Sequence, residues 1–222
     1  MATQSPQPSE PFIAPQGAHI DLDGHPTDVL MRLEHPRVAL LGGLLTPAEC
    51  QALIDCARPR LARSRTVVAS TGGEEINADR TSRGMFFERG ETALISRIEQ
   101  RIARLLHWPA SHGEGLQVLH YRPGEQYHPH YDYFDPAQPG AATLLSRGGQ
   151  RVATLILYLN QPALGGDTDL PQAGLHIAAH PGNALFFAYP QAHPDSATLH
   201  AGAPVLEGEK WIATKWLRER VF

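Results

Sequence analysis

Three His-x-Asp pairs stand in the 222 residues: His19-Ile20-Asp21, His130-Tyr131-Asp132 and His193-Pro194-Asp195. In a β-strand, residues i and i+2 point the same way, so such a pair can set an imidazole and a carboxylate against one side of a metal ion. Two histidines and one carboxylate on one face suit iron(II), because they leave the opposite positions open for a co-substrate and O2. The pair alone is weak grounds: 12 His and 10 Asp give on the order of half a chance occurrence in a chain of this length. Context separates the three. His19 lies in a polar N-terminal stretch, and Pro194 cannot donate to a strand ladder, so neither of those pairs is expected on a strand. His130 and Asp132 sit within Tyr127-His128-Pro129-His130-Tyr131-Asp132-Tyr133-Phe134, an aromatic run that reads as one.

Further polar residues mark the far end of the chain. His200 closes a short predicted strand, Glu207-Gly208 turns, and another strand runs from Lys210 to Arg218. Along it Lys210, Ile212, Thr214 and Trp216 share one face, while Trp211, Ala213, Lys215 and Leu217 share the other. A Lys, a Thr and a Trp on one barrel face point to a ligand. The plainer alternative is a Lys capping an exposed strand end, the ordinary place for this residue.

The elements that must position these residues change character along the chain. Residues 1–35, rich in Pro, Gln, Asp and His, lack a sustained apolar period and read as an irregular extension or edge decoration, with ordered structure from near Val38. Thr46-Pro47-Ala48-Glu49 is a capping box with Pro at the first helical position, and Cys50, Leu53, Ile54 and Ala57 follow at helical spacing. A second helix is predicted from about Glu91 to His107, with Leu94, Ile95, Ile98, Ile102, Leu105 and Leu106 in one stripe. After Gly115 come short aromatic and β-branched runs: Gln117–Arg122, Gln126–Phe134, Arg151–Asn160, Leu175–His180, Ala184–Tyr189, Thr198–His200 and Lys210–Arg218. Helices first and strands later predict a mainly β fold, a jelly roll or barrel buttressed by the helices. Ser64–Gly84 and Asp135–Gln150 are long connections of the kind that serve as lids.

A chain of this length buries about 70% of its unfolded surface, enough for one core, so residues 36–222 are expected to form a single domain. The net charge of -4 and scattered basic residues give no face for a phosphate backbone, which argues against nucleic acid as partner. No run reaches the length of a membrane span, and no basic, apolar leader opens the chain, so a cytoplasmic protein is expected. Cys50 and Cys56 would point away from each other on their helix, leaving no disulfide.

Taken together, several stretches resemble the prolyl 4-hydroxylase catalytic domain. They are Tyr121-Arg-Pro-Gly-Glu-Gln-Tyr127, His130-Tyr-Asp132, Gly149-Gln-Arg-Val-Ala-Thr154, Tyr158-Leu-Asn160, Gly165-Gly-Asp-Thr168, Gly182-Asn-Ala-Leu-Phe-Phe187, His200-Ala-Gly-Ala-Pro-Val205 and Gly208-Glu-Lys210-Trp211. They run in the family's order from about Val38 to the C-terminus, with its ten-residue step from the distal His to the Lys. The resemblance implies a double-stranded β-helix and an iron(II) site of His130, Asp132 and His200. It further implies Lys210 on the distal carboxylate of 2-oxoglutarate, helped by Tyr121 and Thr154. Tyr127, Arg80, Ser82 and Trp216 fall where the family lines its peptide groove or mobile loops. Ala203 stands where animal and plant members have Cys, and Leu170 where an aromatic is common; both bear on substrate class rather than on the reaction.

The implied reaction consumes O2 and 2-oxoglutarate, releases succinate and CO2, and hydroxylates an unactivated C–H, with ascorbate as an accessory reductant. Retention of the carboxylate Asp132 favours hydroxylation over halogenation. The substrate implied is a prolyl residue of a peptide or protein. The rival within the class is a free amino acid or small metabolite, and outside it a metal-binding jelly roll without catalysis, which would not need Tyr121, Thr154 and Lys210 together.

Overall fold

The computed structural model describes residues 10–13, 17–64, 66–67, 70–75 and 78–222. Helix α1 (Pro47–Ala57) starts at Thr46, whose hydroxyl accepts the Glu49 N–H at 3.2 Å while the Glu49 carboxylate accepts the Thr46 N–H at 3.0 Å. These bonds satisfy two donors that a helix start leaves free. The same carboxylate receives two bonds from Arg101 of α2 (Ala93–Leu105), at 2.8 and 2.9 Å, and so ties the two helices together. Cys50, Leu53, Ile54 and Ala57 of α1 and Ile95, Ile98, Ile102 and Leu105 of α2 form the buried stripes.

Both stripes pack on one face of a nine-stranded antiparallel sheet. Its strands, in spatial order, are His19–Asp21, Pro26–Leu33, Arg37–Gly42, Ala184–Ala188, Arg151–Tyr158, Lys210–Arg218, Leu116–Tyr121, Arg83–Phe87 and Ala62–Arg63. A four-stranded sheet, in the order Leu175–Ile177, Thr168–Leu170, His200–Gly202 and Tyr127–His130, faces the other side. The central strands are buried throughout, and their alternation sorts side chains between two cores. Ala153, Leu155 and Leu157 join Trp211, Ala213 and Leu217 against the helices; Ile156 and Tyr158 join Ile212, Leu185 and Phe187 between the sheets. This is the helix-buttressed double-stranded β-helix that the resemblance implied.

Four details of the sequence reading change. Ordered structure begins well before Val38, because His19–Asp21 and Pro26–Leu33 extend the large sheet; residues 1–9 and 14–16 lie outside the described residues. The His19 pair therefore does sit on a strand. The aromatic run Gln126–Phe134 yields a strand only at Tyr127–His130, so Asp132 follows it in a bend. His200 opens the strand His200–Gly202 rather than closing one. The connections taken as loops carry structure too: Thr66–Val67 pairs with Glu74–Glu75, Arg83–Phe87 joins the large sheet, and α3 (Ala141–Ser146) lies within the second. Residues 65, 68–69 and 76–77 of the expected lid are outside those described.

Candidate metal and co-substrate site

Register builds the centre of the site. His200 pairs directly with His130 across the small sheet, which brings the two rings to 4.2 Å. Asp132, two residues past His130, turns its carboxylate back so that Oδ1 lies 3.7 Å from His130 Nε2 and Oδ2 3.5 Å from His200 Nε2. One ligand atom from each of the three lies within 4.8 Å of the others, the one such cluster of metal-binding side chains among the described residues. Each ring is held from behind by the same device. His130 Nδ1 faces the His128 carbonyl at 2.8 Å, and His200 Nδ1 faces the Thr198 carbonyl at 3.0 Å. A carbonyl can only accept, so Nδ1 carries the proton and Nε2 keeps its lone pair for a metal.

The electrostatics agree with that donor set. Burial pushes the His130 imidazole down, His200 adds to the effect, and its pKa falls to about 3, so it stays neutral. Burial alone would raise Asp132, but His200, His130 and Arg151 outweigh it and hold the carboxyl at about 2. Thr154 donates to Asp132 Oδ2 at 2.7 Å and lies 3.0 Å from the Tyr189 hydroxyl. Arg151, paired twice with Glu114 at 2.7 and 2.9 Å, donates to the Asp132 carbonyl at 3.3 Å. Two imidazoles with Nε2 left free and one hydrogen-bonded carboxylate are what iron(II) requires of its protein face.

Behind the cluster a narrow pocket runs to Lys210, lined among others by Tyr121, Ile156, Thr168, Ile212 and Thr214. The Lys210 stem lies against Gly166, where a Cβ would sit 3.3 Å from Lys210 Cδ. Lys210 is 2% exposed, yet the hydrogen-bond partner of its amine among the described residues is a single carbonyl, Asp167 O, at 3.5 Å. Burial lowers its pKa to about 8 despite the nearby Asp167 and Asp169. A buried cation so poorly matched is costly unless an anion arrives to pair with it. A dicarboxylate with one end at the metal and the other at Lys210 meets that need, so the donor set fits both iron and 2-oxoglutarate.

In front of the cluster a cleft of about 1040 Å³ opens to solvent, with Phe86, Tyr127, Tyr131, Tyr133, Phe134 and Trp216 on its walls. Tyr127 stacks on His130 with centroids 3.6 Å apart, and burial raises its phenol to about 12. Arg80 lies over the Tyr127 ring at 4.8 Å and donates to Gln117 at 3.0 Å. Trp216 has the Arg151 guanidinium over its ring at 4.0 Å. Most sequence-based candidates thus converge here, and two do not. Thr154 supports Asp132 instead of lining the Lys210 pocket, where the threonines are Thr168 and Thr214. Ser82 is fully buried, bonded to the Ser64 hydroxyl at 2.9 Å, and lines neither space. The decoys stay apart: His19 pairs with Asp28, and His193 caps a short turn at the cleft rim. Phe86 and Glu114 escaped the sequence reading, and Arg151 and Thr168 entered it only within motif stretches, without a role; for Thr168 the Gly165-Gly166 pair just before it was the available sign of close packing.

Comparison with known proteins decides the family. The 2OG-Fe(II) oxygenase superfamily profile matches residues 116–218. Probable prolyl 4-hydroxylase 3 of Arabidopsis thaliana is 39% identical over 204 residues, covering 82% of this chain and 69% of that protein. The chain belongs to the prolyl 4-hydroxylase family. Prolyl 4-hydroxylase 1 of the same plant is 40% identical over 203 residues, covering 83% and 70%. A collagen prolyl hydroxylase of Paramecium bursaria Chlorella virus-1, solved with 2-oxoglutarate, superimposes with a TM-score of 0.62 at 31% identity, covering 82% of this chain and 95% of that one. A Trichoplax adhaerens prolyl hydroxylase shares the fold at TM-score 0.53 and 15% identity, covering 82% and 83%. The chain is accordingly an iron(II)- and 2-oxoglutarate-dependent dioxygenase, with the double-stranded β-helix of its superfamily.

Proposed function

We propose that this dioxygenase hydroxylates a prolyl residue within a peptide or protein. The observation that carries the substrate is the open, aromatic-walled cleft. Pockets for small molecules measure roughly 300–1000 Å³ and enclose their ligand. This cleft reaches the top of that range while remaining open to solvent, which suits a segment of a longer chain. Extended Pro-rich segments are pre-ordered in the polyproline II form and bind aromatic grooves at little entropic cost.

Each residue then has a task. His130, Asp132 and His200 hold iron, and Thr154 and the Arg151–Glu114 pair keep Asp132 aimed. Lys210, with Tyr121 and Thr168 beside it, takes the distal carboxylate of 2-oxoglutarate, fixing the keto-acid end toward the metal. Bound iron would supply, with O2, the oxidising power of the reaction, with 2-oxoglutarate as the co-substrate converted to succinate and CO2. Tyr127 and Trp216 flank the cluster and hold the reacting C–H at the cleft's base, where Phe86 extends the apolar wall. Ascorbate is the accessory reductant we propose to include in the assay.

The test is succinate release with iron(II), O2 and 2-oxoglutarate, offered Pro-rich peptides, free proline and other free amino acids. Peptide-dependent release with a mass gain of one oxygen on proline is expected. Stimulation by a free amino acid and none by any peptide would overturn the substrate assignment.

A further inference from the structure

The strand that carries Lys210 begins at the margin of the large sheet, where its ladder with Arg151–Tyr158 runs out. Ile212 still pairs with Tyr158, and the Leu159 N–H still reaches the Trp211 carbonyl at 3.0 Å. At the next rung a side chain takes over from the backbone. Asn160 Oδ1 accepts the Trp211 N–H at 2.6 Å, and Asn160 Nδ2 donates to the Glu209 carbonyl at 2.9 Å. These two bonds bracket Lys210, one on the residue before it and one on the residue after. A carboxamide suits this place because it carries a donor and an acceptor in one plane, as a peptide unit does. Asn side chains ordinarily spend these groups on their own neighbouring backbone; here they cross to another strand.

The residues beside Lys210 are held on the opposite face as well. His120 Nε2 lies 2.8 Å from the Glu209 carboxylate, and the His120 ring stacks on Trp211 with centroids 4.2 Å apart. Asn160 itself lines neither the cleft nor the Lys210 pocket. Its reach to the site runs through the backbone of Lys210.

We infer that Asn160 is a positioning residue for co-substrate recognition, holding the start of the Lys210 strand so that the amine points into the pocket. The inference rests on the assignment of Lys210 to the distal carboxylate of 2-oxoglutarate. Small displacements of a recognition group are expensive, since an error of about 1 Å can cost up to about a hundredfold.

The experiment reads binding, not turnover. Calorimetry on the full chain loaded with Mn(II) measures affinity for 2-oxoglutarate and for 2-oxobutyrate, which keeps the keto-acid end and lacks the distal carboxylate. Asn160→Ala is expected to weaken 2-oxoglutarate roughly tenfold and to leave 2-oxobutyrate within about twofold. Placed in a Lys210→Met background, the same change should add nothing. Equal weakening of both keto acids, an undiminished loss in the Lys210→Met background, or unchanged 2-oxoglutarate affinity would overturn the positioning role. Asn160→Asp keeps the acceptor for Trp211, loses the donor to Glu209, and serves by the same criteria if the alanine variant does not fold. Loss of a cooperative thermal transition in both variants would mark Asn160 as a purely structural residue and overturn the inference. The Lys210 assignment is judged separately: Lys210→Met must weaken 2-oxoglutarate while sparing 2-oxobutyrate, and loss of both alike would remove it.

Discussion

Lys210 and Lys215 lie five residues apart on one strand, are each 2% exposed, and point to opposite faces of the large sheet. Their surroundings differ in kind. Lys215 enters the helix-side core and finds two close partners, one of them a carboxylate: Glu99 of α2 at 2.5 Å and the Glu114 carbonyl. Its stem fills a cradle that exists because position 113 is Gly, where a Cβ would meet Lys215 Cε at 2.5 Å. Lys210 enters the space between the sheets and finds one distant carbonyl and a pocket. Burial lowers the pKa of both. The difference teaches that a buried charge by itself says nothing of function; what matters is whether the fold already supplies its partner. Lys215 is completed by the protein, and Lys210, in the function proposed above, by its co-substrate.

The largest effect should come from the ligand cluster that shares the face of Lys210. His130→Ala, Asp132→Ala and His200→Ala are each expected to abolish iron-dependent decarboxylation of 2-oxoglutarate and to lose retained iron. His19→Ala and His193→Ala should keep both, since those histidines pair locally and lie apart from the cluster. Near-normal iron in the His200→Ala protein would break the assignment.

The two lysines themselves give the next test. Lys210→Met should weaken 2-oxoglutarate by a factor of hundreds, reflecting about 3–5 kcal/mol for a buried charge left without its partner. Its thermal stability should hold or rise, because the free protein no longer buries an unmatched cation. Lys215→Met should do the reverse: about 3–5 kcal/mol of stability is lost as Glu99 is stranded, while the folded protein binds 2-oxoglutarate normally. Chemical denaturation and co-substrate titration on both variants decide it, and similar profiles for the two would erase the comparison.

The smallest effect separates the two threonines within the pocket-side core. Thr154→Val should reduce iron retention about tenfold, as loss of a bond behind a metal ligand does, with little change in co-substrate affinity. Thr168→Val should weaken 2-oxoglutarate by up to about tenfold and leave iron in place. The opposite assignment of losses would restore Thr154 to the co-substrate pocket.

Local chemistry wrote much of this into the sequence. The capping box at Thr46, the apolar stripe of α2 and the alternation along Lys210–Arg218 are short-range patterns, and each reappears with boundaries shifted by a few residues at most. The aromatic setting of His130 and the ten-residue step from His200 to Lys210 singled out, from three, the pair that the structure gathers with His200, because those signals also lie within a few residues. Tertiary structure decided what depends on contacts between distant strands. A period of two places Thr154 on an inward face, but only packing shows that its hydroxyl meets Asp132, 22 residues away, while Thr168 arrives beside Lys210 from the other sheet. The strand His19–Asp21 has no apolar run of its own and exists because Pro26–Leu33 offers it a partner. Lys210 and Lys215 read alike along the chain; Glu99, more than a hundred positions from Lys215, is what sets them apart.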